Sequence, residues 1–280
     1  HLSIRRQRQM CIRDRFYAVG EIALVIIGIL IALQINIQNE SKKTFNNELQ
    51  LYVNILDDLN SEYDIISNHI NFANRYEDLH LHVYNESIGK AQYNPQKNYN
   101  FLLWNHRYNM FFKEKYYEFL SKITNNEIHG ALKKYINQEK ITNATVVNWN
   151  KHRQENVRSF FNINGINDTE AIFNDRSKGM ASIINNQNLI NHSKLKEQFG
   201  TVEFDQLLFN IRFKTTWMYQ NLVWLQENNR DFKQDIINEL KRHNTTSWQD
   251  KEAYWQDMEN YTQNINEANM YYDLEEYQKS

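Results

Sequence analysis

The sequence predicts an all-α protein, with a single N-terminal transmembrane helix continuing into a helical-bundle, coiled-coil-like extracytoplasmic domain. Three observations predict it. One strongly apolar run lies near the start of the chain. Downstream, apolar residues recur at steps of three and four, the helical period. Helix breakers are scarce, with seven glycines and one proline in 280 residues, so long helices meet few interruptions. No segment shows the period-two alternation of a half-buried strand.

The apolar run carries only one charge between Phe16 and Leu33, Glu21. Counting aromatic and aliphatic ends, it reaches from Phe16 to Ile37, about 33 Å at ~1.5 Å per residue, enough to cross a bilayer core. The rest of the chain is polar, with a mean hydropathy of −0.76 overall, and needs no core helix this apolar. A cleaved signal peptide would require small residues at alternate positions after the apolar core. The run instead passes into Ala32-Leu33-Gln34-Ile35, which favours an uncleaved anchor over 16–37. At ~100° per residue, Glu21, Gly28 and Ala32 fall within roughly 40° of one another. Gly28 and Ala32 form a small-xxx-small pair that lets helices approach closely in lipid. An ionisable residue on that stripe is costly against lipid and tolerable against a partner helix. Self-association, or packing on another membrane protein, through Glu21, Gly28 and Ala32 is one expectation. The other is that Glu21 lies shallow enough to reach the headgroups.

Residues 1–15 differ from everything after them, with five arginines and the single cysteine, Cys11. Met10-Cys11-Ile12-Arg13-Asp14 resembles a translation of the transposon end used to tag sequencing libraries. The segment is therefore expected to be a sequencing-adapter artefact replacing the native N-terminus, with a genuine basic flank as the competing reading. On that expectation Cys11 is not read as a lipidation, redox or metal cysteine.

After the anchor, 41–243 is expected to be a helical bundle. Leu49, Val53, Leu56, Leu59, Tyr63, Ile66 and Ile70 make a coiled-coil-like seam, with the acidic run Asp57, Asp58, Glu62 and Asp64 on its wet side. Residues 85–100, holding Gly89 and Pro95, read as a loop. Trp104 to Ile123 reads as one or two short helices, its aromatic cluster of Trp104, Tyr108, Phe111, Phe112, Tyr116 and Tyr117 as core. Asn126 to Phe161 is helical, 162–192 is an irregular connection broken by Gly165 and Gly179, and Leu195 to Leu240 is a long amphipathic segment. Residues 244–280 are expected to form a C-terminal helix or hairpin.

Composition excludes some classes. A formal charge of −2 and a pI near 6.5 argue against a nucleic-acid partner, which calls for a clustered basic face. Asparagine, at about one residue in seven, far exceeds ordinary usage and is interleaved with aliphatics. The N-x-S/T matches that follow from it carry little weight.

The segment from Tyr17-Ala18-Val19-Gly20-Glu21-Ile22 to Ile31-Ala32-Leu33-Gln34-Ile35-Asn36, closed by Asn39-Glu40, resembles the opening of an uncharacterised Bacteroidota membrane-protein family (DUF6090-like). Ile37 stands where that family usually has tryptophan. A looser second signature runs from Tyr116 to Glu127 with Leu132 and Tyr135. The resemblance covers about half the chain, with no counterpart from Thr245 on. It implies a single-pass protein of the bacterial inner membrane, with a cytoplasmic N-terminus and a helical periplasmic bulk. It implies no activity.

No catalytic constellation stands out: there is no Gly-rich phosphate loop, no G-x-S-x-G and no H-E-x-x-H. Glu77-Asp78-Leu79-His80 has the E-x-x-H spacing that puts two ligands on one helix face. It lacks the second copy such centres need, so Glu77, His80 and the nearby His82 are weak metal candidates beside the plainer reading of a solvated helix face. No cofactor is expected. Two functional expectations remain. The first is a membrane-anchored, non-enzymatic interaction or scaffold protein of the cell envelope. The alternative is a sensor-like extracytoplasmic bundle that binds a small ligand between its helices.

Overall fold

The stretch with few breakers forms one helix, α1 (Leu2–Ser87), in a computed structural model that describes residues 2–173 and 189–243, with side chains from residue 19 onward apart from Ile172. The protein is all-α. Among the described residues no strand occurs, only one isolated bridge between Asn167 and Ile190. The chain divides into two units, His1–Asn54 and Ile55–Ser280. The expected C-terminal helix or hairpin of 244–280 lies outside the described residues.

In the first unit, the most apolar 18-residue window averages a hydropathy of 2.2 and is wholly exposed. Leu24 and Ile29 are 70% and 61% exposed. A core helix of a globular domain would be covered; this one is long and apolar enough to cross a membrane.

In the second unit the remainder of α1 packs with two further long helices, α3 (Asn126–His152) and α7 (Val202–Arg242). Their register is readable from side chains. Trp149, Thr142 and Tyr135 of α3 meet Thr215, Asn221 and Asn229 of α7 in reverse order. Leu59, Ser67 and Glu77 of α1 likewise meet Asn229, Gln226 and Arg212. Helix α7 therefore runs antiparallel to both partners. Of the apolar residues at seam spacing on this part of α1, Leu56, Leu59 and Ile66 are buried and Tyr63 and Ile70 half-buried.

Short elements join the long ones. Helix α1 stops where Gly89 takes φ +74: Lys90 N–H reaches Asn85 O at 2.8 Å and Gly89 N–H reaches Glu86 O at 3.2 Å, a Schellman-type end that favours glycine. Tyr99–Leu102 is a 3-10 turn. The aromatic segment gives α2 (Phe111–Tyr116), followed by a 3-10 turn at Tyr117–Lys122. Its cluster divides: Tyr108, Phe112 and Tyr116 are core, while Tyr117 is 56% exposed. Asn125 caps α3 by accepting from Glu127 and Ile128 N–H, the role its short carboxamide suits.

The stretch 126–161, expected to be helical, is so throughout, with a π-helical segment at Arg153–Val157 between α3 and α4 (Arg158–Ile163). Within the connection at 162–192, α5 (Thr169–Phe173) is described. The amphipathic segment expected from Leu195 holds two helices: α6 (His192–Lys196) ends before Gly200, which sits at φ +74. Thr201 then caps α7 by accepting from Phe204 N–H. Ser87 fixes this corner, accepting from Gly200 N–H at 2.9 Å and donating to Asp205 at 3.2 Å.

Candidate functional site: a polar ladder inside the bundle

Helix α1 places Glu62, His69, Tyr76 and His80 at steps of seven, seven and four, one stripe of a helix. In a bundle that stripe faces the interior, where an unpaired polar group carries a desolvation cost. Opposite it stand Tyr108 and His106 from the loop before α2, and Glu139, Trp149 and Arg153 from α3 and the π-helical segment. Together they form a ladder of polar and aromatic groups through the second unit.

At one end, Glu62 is 3% exposed and Glu139 fully buried. Glu139 accepts from Phe112 N–H at 2.9 Å and Lys113 N–H at 2.7 Å, placing a carboxylate at the N-terminus of α2, where the helix dipole favours it. Burial still raises its pKa to about 7, opposed by those two N–H groups. Burial, then the charges of Glu139 and Asp58, raise Glu62 to about 7 as well. The Tyr108 hydroxyl is buried without a partner, and burial, then Glu139, lift it above the usual phenol range.

In the middle, His69 and His106 meet edge to face, centroids 4.8 Å apart. Burial, then His69, depress His106 to about 4, and burial lowers His69. Both are therefore neutral imidazoles near pH 7.

At the other end the Arg153 guanidinium lies 4.3 Å from the Trp149 ring centroid and 5.1 Å from that of Tyr76, two cation–π contacts with rings that themselves meet at 4.8 Å. Arg153 is fully buried, and burial lowers its pKa to about 9. It donates through Nη2 to the Phe101 carbonyl. Its Nε and Nη1 have no partner, and among the described residues no carboxylate pairs with it. His80 is 1% exposed with neither ring nitrogen partnered. Burial, then Arg153 and Arg212, hold it well below its ordinary pKa.

The outcome for the sequence candidates is mixed. His80 does not lie on a solvated face, because its stripe is the one that α1 turns inward. Glu62, read from its acidic neighbours as part of the wet side, is buried for the same reason. Glu77 is bonded to Arg212 at 3.1 Å, and His82 lies 2.9 Å from Glu86. Glu86 also accepts from the Tyr99 hydroxyl at 2.9 Å and from Asn94 N–H at 3.0 Å, which pins the loop after α1. Among the described residues no group of three His, Cys, Asp or Glu side chains is placed to hold a metal. Glu21, Gly28 and Ala32 are exposed, and a Cβ built at Gly28 meets nothing within 4 Å.

Arg153 and Glu139 escaped the sequence reading. Arg153 stands one turn after Trp149, and Glu139 three after Ile136, so both continue the buried side of α3. A charge in phase with a seam was the available signal.

A second feature lies on the outside. Phe209, Phe213, Trp217 and Trp224 follow one another along α7 at steps of four, four and seven. They are 63%, 68%, 54% and 39% exposed, with Phe209 stacked on Phe213 and Trp217 edge-on to Trp224. Beside them, Ile141, Ala144 and Asn148 of α3 join Phe213 and Trp217 around a groove of about 340 Å³. Protein-family models, curated proteins and solved structures give no match to this chain.

Proposed function

We propose that the protein is a membrane-anchored, non-enzymatic interaction protein of the bacterial cell envelope. In this reading residues 16–37 cross the inner membrane once, the N-terminus is cytoplasmic and the bundle periplasmic. The resemblance of the anchor to the Bacteroidota family supports that placement. The observation that carries the interaction reading is the aromatic face of α7 with its groove against α3. Contiguous exposed apolar surface of this kind marks binding sites more often than scattered single residues do. A ridge with helical spacing beside a groove suits the apolar face of another helix, so the expected partner is an amphipathic helix of a second membrane-anchored protein.

Photo-crosslinking from position 213 of the full chain in membranes tests this. The expected product joins a peptide with apolar residues at i, i+4 spacing from another protein, and is lost with Phe209→Ser and Trp217→Ser. Crosslinks confined to a second copy, or to residues 244–280 of the same chain, would overturn it.

A second reading, a bundle that binds a small ligand between its helices, is favoured by the unpartnered nitrogens of His80 and Arg153. Buried polar groups are ordinarily satisfied, and perturbed titratable groups gather at functional sites. A metabolite panel that leaves the melting temperature of the full chain unchanged would remove this reading.

A further inference from the structure

We propose that the bundle interior at Arg153 and His80 is a binding site for a small anion of one negative charge, a halide or a short carboxylate. The inference rests on the ligand-binding reading and names the class of ligand. Arg153 is a cation with 0% exposure, packed against the rings of Tyr76 and Trp149. A buried charge is ordinarily paired, yet among the described residues the only hydrogen-bond acceptor on this guanidinium is the carbonyl of Phe101. Its Nε and Nη1 keep N–H groups with no acceptor, and a guanidinium carries donors only. His80 stands on α1 one helical turn after Tyr76, whose ring lies 5.1 Å from the Arg153 guanidinium. Its two ring nitrogens are also unpartnered, so whichever is protonated offers a further donor. Unpartnered donors on a fixed positive charge, with no carboxylate beside it among the described residues, fit an acceptor-only ligand of negative charge. They fit neither a metal ion nor an ammonium.

Size follows from the walls. The Tyr76 and Trp149 rings pack together on the guanidinium, inside a fully buried environment that leaves room only for a ligand of few atoms. This suits a halide or a carboxylate end rather than a nucleotide or sugar. The π-helical segment begins at Arg153. Such bulges are frequent at functional sites, and this one alters the helical phase where the cation enters the core.

Anion titration of the full-length protein in micelles, at constant ionic strength against a bulky counter-anion, tests the proposal. Chloride, bromide, formate, acetate and phosphate are compared by thermal unfolding. The expected result is a saturable rise for at least one monovalent anion, roughly 5–10 °C at about 100 times its Kd. The halide and carboxylate arms separate the two sources. Arg153→Met is expected to fold, since an apolar residue of similar volume often replaces a buried charge without loss, and to show no anion response. Should it fail to fold, excess ³⁵Cl line width on the wild-type protein, displaced by formate, supplies the readout. A response equal in wild type and Arg153→Met overturns the proposal, as does no saturable response and no excess line width. A shift with neutral or cationic metabolites and none with anions also overturns it, while leaving the ligand-binding reading standing.

Discussion

Glu62 and Glu139 stay protonated further up the pH scale than an exposed carboxyl does, from an ordinary 4.5 to about 7. Such a group binds more protons folded than unfolded between those values. Its stabilising contribution is therefore fully present below about pH 4.5 and is lost as pH rises through about 7. His69, His80 and His106 act in the opposite direction. Their folded values lie below 6.5, so the stability from holding them neutral is present above 6.5 and lost as pH falls. The two sets oppose each other between about 4.5 and 6.5, which flattens the dependence of the whole. Glu62→Gln removes one carboxyl and unbalances them. The variant should exceed wild type by about 1–3 kcal/mol above pH 7 and lose stability more steeply below 6.5. Urea unfolding at about pH 5, 6.5 and 8 reads both limbs. Equal stability of the two proteins at the highest pH would mean that Glu62 is not held in a desolvating site.

At the scale of elements, the π-helical segment decides what reaches the core after His152. One extra residue per turn shifts the helical phase by about 100°. With that shift Arg153, Val157 and Phe161 are all buried, while Gln154 and Glu155 face solvent. Deleting Gln154 should restore a regular helix and rotate α4, taking Val157 and Phe161 off the cluster that includes Leu79, Phe204 and Leu208. Burying an aromatic side chain is worth several kcal/mol, so a loss of about 3–5 kcal/mol is expected. Substitution by Gln154→Ala, which keeps the phase, should cost under about 1 kcal/mol. Comparing denaturation midpoints separates the two, and equal midpoints would show that the phase shift does not set the packing.

The same region shows what sequence can and cannot reveal. Helical spacing exposes the long elements because Ile128, Leu132, Tyr135 and Ile136 recur where a buried face must. It does not expose the extra residue at 153–157, since a phase change of one residue within a polar run leaves no apolar mark. Nor does it mark Glu62 or His80 as interior. Both stand in phase with the seam, but a charged or titratable side chain is usually solvated, and the acidic neighbours of Glu62 strengthened that expectation. Gly200 does not stand out as a break in the sequence, because the apolar steps on either side stay near the helical period. Its positive φ is a backbone property that spacing does not encode.

For the whole molecule, polarity is distributed so that one segment carries the case for a membrane. The chain averages −0.76 in hydropathy, yet the exposed window of α1 averages 2.2. Anchoring, as proposed, would confine copies and partners to a plane, which raises the effective concentration of each weak contact. Under the proposed interaction reading, contacts by the Glu21, Gly28 and Ala32 stripe and contacts by the aromatic face of α7 would reinforce each other although neither need be strong. A membrane helix interface gains from close backbone approach at small residues and from satisfying an ionisable group away from lipid. Glu21→Leu with Gly28→Ile should therefore lower in-membrane association by about tenfold, with a smaller loss for either change alone. Energy transfer between labelled full-length chains, and between chain and captured partner, measures it at fixed protein-to-lipid ratio. If Glu21 instead reaches the headgroups, Glu21→Leu leaves association unchanged. If both changes together do so, the small-residue stripe has no packing role, and assembly falls to the α7 face alone.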